Sequence, residues 1–534
     1  MIGTTIGERD FARPGKSVAL AGKAMVATSH PQATLAGLDI LRAGGNAVDA
    51  AIAAVAVQGV VDPHMTGIGG DCFALYAAAG KAPVGINGSG WAPQAATLER
   101  LRGEGLTQIA IDSVHSVTVP GAVDAWCRLS ESYGRIGLDA VLAPAAKAAE
   151  EGFVIAPRVA HDWALESARL KVHDACASQF MPGGEPPVCG DRLANPALAQ
   201  TLRRIGSEGR SAFYEGEIAR DMVDTLQALG GLHTLDDFSA YRAFETTPIS
   251  AVYRGYDLVE CPPNGQGLAA LIIARILDGF DLADGGLSEA DRIHLFAEAT
   301  KAAYRQRDLY IADPKHMTHT VEALLSDAFI DALRANIAMD RASAAEAYDV
   351  PVHRDTVYVT VVDEDGNAIS LINSIFFPFG SAIYAPNAGV LLQNRGAGFS
   401  LEPGHPNAIA PRKLPFHTII PALLMKDGAP VMSFGVMGGQ YQSTGHVHLL
   451  SLILDLGMDV QAASDQPRSF YTDGVIRLET TISAEAKAEL ERRGHKTVWS
   501  PEPMGGCQAI WIDRQRGVLW GASDHRKDGM ALGY

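Results

Sequence analysis

Thr356 is the residue best placed by its surroundings to do chemistry. It opens the run Thr356-Val357-Tyr358-Val359-Thr360-Val361-Val362; Asp355 precedes it, and Asp365-Gly366 and a second β-prone run, 368–374, follow it. Val, Tyr and Thr favour a pleated surface. Asp-Gly between two such runs predicts a hairpin. A threonine ahead of a strand is ordinarily a core residue and nothing more. If the chain is cut between Asp355 and Thr356, however, one residue holds both a hydroxyl nucleophile and a free α-amine. Such an amine titrates at roughly 7.7–8.0 and can act as the general base that activates the hydroxyl.

Other stretches offer matching parts. Gly438-Gly439 follows a predicted strand at 431–434 and precedes a predicted helix at 443–456. Bare N–H groups at such a junction can hold an anion, although a tight strand-to-helix turn needs the same glycines. The run 62–71, with Gly67, Gly69 and Gly70, reads either as a loop bordering a site or as a turn into a strand at 72–76. His64 within it has no partner at metal-ligand spacing and reads as structural. Phe376-Phe377-Pro378-Phe379-Gly380 is an aromatic loop, pocket wall or core. Glu298 and Lys301 lie one turn apart on a predicted helix at 289–309 and form either a paired charged face or a solvated one.

Several elements must position these groups. Strands are expected at 25–27, 72–76, 83–87, 116–121, 249–259, 422–426 and 431–434. Ser29 is expected to cap a helix with Pro31 in its first turn; the helix carries Leu35, Leu38 and Leu41 and stops at Gly44-Gly45. Asn46 caps the next helix, 47–60. Residues 122–230 are mostly helical, and an apolar helix spans 268–277. Alternating β runs and helices, with no linker or repeat, give one layered α/β unit.

Composition bounds the function. The chain has 534 residues, 47% apolar and 20% charged, with net charge −17. That balance repels phosphate backbones, so neither nucleic acid nor an anionic membrane is expected as a partner. The apolar run 47–61 is too short to span a bilayer. Six scattered cysteines fit a reducing compartment. With no signal-type opening, the cytoplasm is the expected location. No motif calls for a cofactor or a metal.

In this order the motifs Gly44-Gly45-Asn46-Ala47-Val48-Asp49-Ala50-Ala51, Gly67-Ile68-Gly69-Gly70-Asp71, Val119-Pro120-Gly121, Phe213-Tyr214-Glu215-Gly216, Ala302/Tyr304/Arg307/Asp308, Asp355-Thr356, Phe379-Gly380-Ser381 and Gly438-Gly439 resemble the γ-glutamyltransferase (glutathione hydrolase) family of N-terminal-nucleophile hydrolases. The resemblance covers nearly the whole chain. It implies an αββα sandwich built from a precursor that cuts itself before Thr356, giving a large subunit, 1–355, and a small one, 356–534, wound together. It implies Thr356 as nucleophile, Gly438 and Gly439 as oxyanion donors, Ser374 where the family has a second threonine, and Thr360 as a strand position beside the nucleophile.

Departures from the family pattern fall on the substrate side. Ser89 stands where the family has the arginine for the glutamyl α-carboxylate. Gly398 stands where it has the acidic residue for the α-amine. Phe376 replaces an asparagine, His417 and Thr418 replace paired serines, and Tyr358 replaces a histidine. Arg395 or His417 could take over a carboxylate. The leading expectation is a self-processing γ-glutamyltransferase-like amide hydrolase with a divergent pocket and water as acceptor. One alternative is a small-acid amidase or acylase, since relatives of the family act on oxamate-like amides or cephalosporin side chains. Another is a non-catalytic scaffold. The expected partners are a small amide and the two subunits themselves, with a dimer of such pairs allowed.

Overall fold

The run 357–362 lacks polar–apolar alternation because neither of its faces meets water; all six residues are buried. Val357, Val359 and Val361 share a core with the helices 31–42, 47–61 and 122–133. Tyr358 packs the other way, with Phe73, Ile372, Leu423 and Met437. The two-residue period of a strand thus sets this run between a helical layer and a second sheet. The computed structural model describes residues 15–283, 285–344 and 356–534.

Fourteen strands form the two large sheets. They are β1 (Ala19–Ala21), β2 (Met25–Thr28), β3 (Asp71–Ala77), β4 (Val84–Gly88), β5 (Phe244–Thr246), β6 (Ile249–Tyr253), β7 (Tyr256–Glu260), β8 (Val357–Val362), β9 (Ala368–Ser374), β10 (Ala422–Lys426), β11 (Ala429–Met437), β12 (Gly506–Asp513), β13 (Val518–Ser523) and β14 (Met530–Gly533). The first sheet runs β14-β2-β8-β9-β3-β4-β5 and the second β1-β13-β12-β11-β10-β7-β6. Every pairing within them is antiparallel. Helices α1 (Pro31–Arg42), α2 (Ala47–Val61), α3 (Ala122–Tyr133) and α4 (Leu138–Glu151) cover the outer face of the first sheet. Helices α5 (Gly267–Leu277), α6 (Glu289–Tyr310) and α7 (Tyr441–Leu454) cover the second. The result is a four-layer αββα sandwich. Strands from before and after position 356 interleave in both sheets.

Hydroxyls pin the two sheets together. Thr360 Oγ1 donates to Ser433 Oγ at 2.6 Å, and Tyr358 OH lies 2.6 Å from Ser370 Oγ. Ser370 Oγ in turn donates to Phe434 O. Thr360 therefore crosslinks the sheets instead of touching the residue that opens the strand. It sits roughly 13 Å along the strand from that residue.

Three local expectations are corrected. His30, not Ser29, caps α1, with its imidazole accepting from Gln32 N; Ser29 Oγ instead accepts from Gln58 Nε2 at 2.7 Å. Residues 117–121 form no strand, because their backbone bonds go to loops: Val119 N donates to Trp91 O and Gly121 N to Gly70 O. The Glu298–Lys301 pair exists at 2.7 Å, but it is buried. Asn46 and Asp49 do form the expected capping box. The six cysteines are free. Among the described residues no helix is long and apolar enough to cross a membrane.

Candidate active site

Strand register aligns the site. Val357 pairs with Asn373, so Thr356 falls opposite Ser374. Ser374 pairs with Asp71, and Cys72 pairs with Gly88, which puts Ser89 beyond Asp71. Thr356, Ser374, Asp71 and Ser89 thus form a row across four adjacent strands. Paired residues of antiparallel strands share a face, and here it is the face toward the second sheet. Glycine at position 70 is dictated by this crossing: a Cβ there would lie 2.2 Å from Ser374 O.

Thr356 is buried at 1% exposure, and its Oγ1 donates to Ser374 Oγ at 3.3 Å. Ser374 Oγ also accepts from Phe376 N at 2.9 Å. One serine hydroxyl therefore fixes both the Thr356 side chain and the start of the aromatic loop. Ser374→Ala should lower kcat about 10–100-fold, the worth of one orienting hydrogen bond, whereas Ser374→Thr should keep most of it. Steady-state kinetics on processed protein measures both.

Gly438 and Gly439 lie between β11 and α7 with φ of 116° and 59°. A Cβ on Gly438 would come within 2.8 Å of Gly505 Cα. Among the described residues neither N–H meets an acceptor. Gln266 Nε2 donates both to Gly439 O at 2.9 Å and to Thr418 O at 2.7 Å, tying the glycine turn to the 417–418 segment. Tyr304 OH donates to Gln440 O, and Arg307 reaches the Gln266 and Gln440 side chains. Thr356 also borders a small pocket with His64, Arg158, Asp162, Lys527 and Asp528. Burial pushes Asp162 up, but His64, Lys527 and Arg158 outweigh it and hold the carboxylate well below its usual range.

The substrate-side residues meet around Asp71. Its Oδ1 accepts from Gly90 N, Gly121 N and Gln393 Nε2 at 2.8, 3.1 and 2.8 Å. Its Oδ2 lies 2.8 Å from His417 Nε2. Burial and Arg395 pull His417 down to about 4. It is thus neutral at pH 7, with Nε2–H donated to Asp71 and a lone pair on Nδ1. Arg395 is fully buried, with Nη1 donating to Thr418 Oγ1 at 3.0 Å. Its guanidinium carbon lies 3.9 Å from the centre of the Phe376 ring. Burial pulls Arg395 down to about 9, with Asp71 opposing. Phe376 holds a left-handed φ of 81°. Ser89 is uncharged; its hydroxyl accepts from Asn264 Nδ2 at 3.0 Å. Gly398 ends the turn Arg395–Gly398, and a Cβ there would meet nothing nearer than Phe416 O at 3.8 Å.

The site residues named from sequence therefore gather here, apart from Thr360; Asp355 lies outside the described residues. Asp71, Gln266 and Asn264 were missed as site residues, although Asp71 stood in a flagged motif. Elsewhere His294, Glu298 and His495 place ligand-type atoms within 4.8 Å of one another. Lys301 Nζ already sits 2.7 Å from Glu298 Oε1, and the two imidazoles bond each other at 2.8 Å. That donor set suits a hydrogen-bonded network better than a cation.

Burial also pulls His233 and His495 down to about 4, like His417. In the unfolded chain each titrates near 6.5. Between pH 6.5 and 4 the unfolded state binds more protons, so stability rises with pH across that window. Acidification through it should cost roughly 1.4 kcal/mol per pH unit for each of the three. Thermal unfolding followed from pH 7 to 4.5 reads that loss.

Two face-to-face antiparallel sheets sheathed in helices, with a hydroxyl residue opening a central strand, define the N-terminal-nucleophile hydrolase class. The chain belongs to the gamma-glutamyltranspeptidase family of amide-cleaving enzymes, whose family model matches residues 33–534. It is 38% identical over 522 residues to the glutathione hydrolase-like YwrD proenzyme of Bacillus subtilis, covering 96% of this chain and 98% of that one. It is 35% identical over 524 residues to the oxamate amidohydrolase proenzyme of Klebsiella pneumoniae, covering 96% and 98%. Its structure is similar to that of a cephalosporin acylase from Bacillus halodurans, with a TM-score of 0.93, 38% identity and coverage of 99% and 98%.

Proposed function

We propose that this chain is a proenzyme that cuts itself between Asp355 and Thr356, and that the freed Thr356 hydrolyses amides of small acids. The observation that carries the reading is the Thr356 hydroxyl, buried on the inter-sheet face and bonded to Ser374 Oγ. The proenzyme names of the relatives support the cut. In the cut form Thr356 Oγ attacks the amide carbonyl while its α-amine takes the hydroxyl proton. Gly438 and Gly439 N–H groups receive the oxyanion, each donor worth about 3–4 kcal/mol. The C–N bond breaks and the amine leaves with the proton. Water, activated by the same α-amine, then releases the acid from the Thr356 ester.

A γ-glutamyl hydrolase or transferase is the second reading, favoured by the name of the Bacillus subtilis relative. Ser89, Phe376 and Gly398 put no charge where that family grips the glutamyl zwitterion. A scaffold without turnover is the third reading; the retained Thr356, Ser374 and glycine pair speak against it. On a denaturing gel the protein should run as bands of about 38 and 19 kDa, in proportion to chain length. Edman sequencing of the smaller should begin Thr-Val-Tyr-Val. A single band with a blocked or different start rules the proposal out.

A further inference from the structure

Arg395 is buried at 0% exposure, yet two of its three guanidinium nitrogens are unmet. Nη1 is spent on Thr418 Oγ1, and the Phe376 ring covers one face of the guanidinium. Nε and Nη2 have no acceptor among the described residues. Those two nitrogens lie on one edge of the planar group, the fork that matches both oxygens of a carboxylate. Asp71 does not fill it: no ion pair joins the two, and both Asp71 oxygens are already bonded to Gly90, Gly121, Gln393 and His417. A buried charge with an open edge is costly to keep, and replacing such groups by apolar ones is often neutral or stabilising. A ligand carboxylate would complete that edge.

The surroundings say which ligand. The Phe376 ring over Arg395 follows Ser374, the hydroxyl partner of Thr356, by two residues. The unmet edge thus belongs to a residue stacked on the loop that Ser374 Oγ anchors through Phe376 N. Three donors crowd Asp71 Oδ1 and His417 occupies Oδ2, Gly398 has no side chain and Ser89 no charge. His417 Nδ1, a second buried atom without a partner, holds a lone pair and accepts an N–H or O–H from the same ligand.

We propose that Arg395 is the carboxylate anchor of the acyl site, holding its ligand edge-on through Nε and Nη2, and that the substrates are monoamides of short dicarboxylic acids without an α-ammonium. This rests on Thr356 as the nucleophile. It differs from a γ-glutamyl site in needing one charge where that group brings two, the α-carboxylate and the α-ammonium.

The test uses processed full-length protein, Arg395→Met and Arg395→Lys. Substrates are the monoamides of the two- to five-carbon dicarboxylic acids, their methyl esters and γ-glutamyl anilide. Calorimetry with the free dicarboxylates reads binding without turnover. Expected are a preference for at least one monoamide over its methyl ester and over γ-glutamyl anilide, and a loss of kcat/KM of about 10²–10³-fold in Arg395→Met. Arg395→Lys should recover part of it, mainly through KM. Dicarboxylate binding should vanish in Arg395→Met, whose ligand-free unfolding temperature should not fall. The proposal is overturned by undiminished monoamide turnover or dicarboxylate binding in Arg395→Met, or by γ-glutamyl anilide as the best substrate. A lowered unfolding temperature in Arg395→Met with unchanged dicarboxylate binding in Arg395→Lys makes the residue structural and also overturns it. Failure of the nucleophile shows separately: Thr356→Ala would keep turnover, while Arg395-dependent binding stands.

Discussion

Thr356→Ala is expected to give one 56.5 kDa chain in place of two, and amide hydrolysis lowered about 10⁴-fold or more. Alanine removes the oxygen that would attack both the chain's own peptide bond and the substrate. An uncut chain also lacks the free α-amine, so this variant alone does not tell a missing cut from a missing nucleophile. Thr356→Ser separates the two, since it keeps the hydroxyl and loses only a methyl. It should process more slowly, and once processed it should hydrolyse. Stability should change little in either variant: the hydrogen bond to Ser374 Oγ is worth about 1 kcal/mol, and the methyl about as much. A large fall in unfolding temperature together with lost activity would reassign Thr356 to the core. So would an alanine variant that still runs as two bands.

Signals carried by neighbouring residues were legible in the sequence. Asp365-Gly366 announced the hairpin, and Gly366 does take the left-handed φ of 79°. Asn46 and Asp49, three apart, announced the capping box that starts α2. The position of Thr356 ahead of a β-prone run was readable because strand propensity is local. What was not legible depends on partners far along the chain. Glu298 and Lys301 have the spacing of a solvated pair, and that spacing does not reveal that Ser343, His294 and His495 close over them. Residues 117–121 have the composition of a strand, but strand pairing needs a neighbour, and theirs is a loop. Exchanging an arginine at 89 for one at 395 looked like the loss of a clamp. The fold brings Arg395 against Thr418 and Phe376, 23 and 19 residues away in sequence, contacts that no local pattern announces.

Asp71 is the residue whose importance a linear reading understates most, and replacing it should have the largest effect on stability. Its two oxygens gather the β4 exit at Gly90, the α3 start at Gly121, the Gln393 side chain and His417. Asp71→Ala leaves three buried donors unmet at once, Gly90 N, Gln393 Nε2 and His417 Nε2, while Gly121 N keeps its bond to Gly70 O. Removing one partner of a buried charged network typically costs 3–5 kcal/mol, so a fall of about that size in unfolding free energy is expected, with activity lower by about 10³-fold. Asp71→Asn keeps the shape and isolates the charge. Its oxygen can still take the Oδ1 bonds, but its amide faces the His417 Nε2–H as donor against donor. The imidazole must then shift its proton to Nδ1, where the lone pair had been, and Arg395 loses the negative charge that steadies it against burial. Asp71→Asn should therefore fold with a loss of about 1–2 kcal/mol while its monoamide kcat/KM still falls about 10²-fold, and its activity should decline at a lower alkaline pH than the parent's. Denaturant titration and a pH–rate profile of the processed variants read these separately. If Asp71→Asn matches the parent in both, the carboxylate is holding loops and not tuning the site.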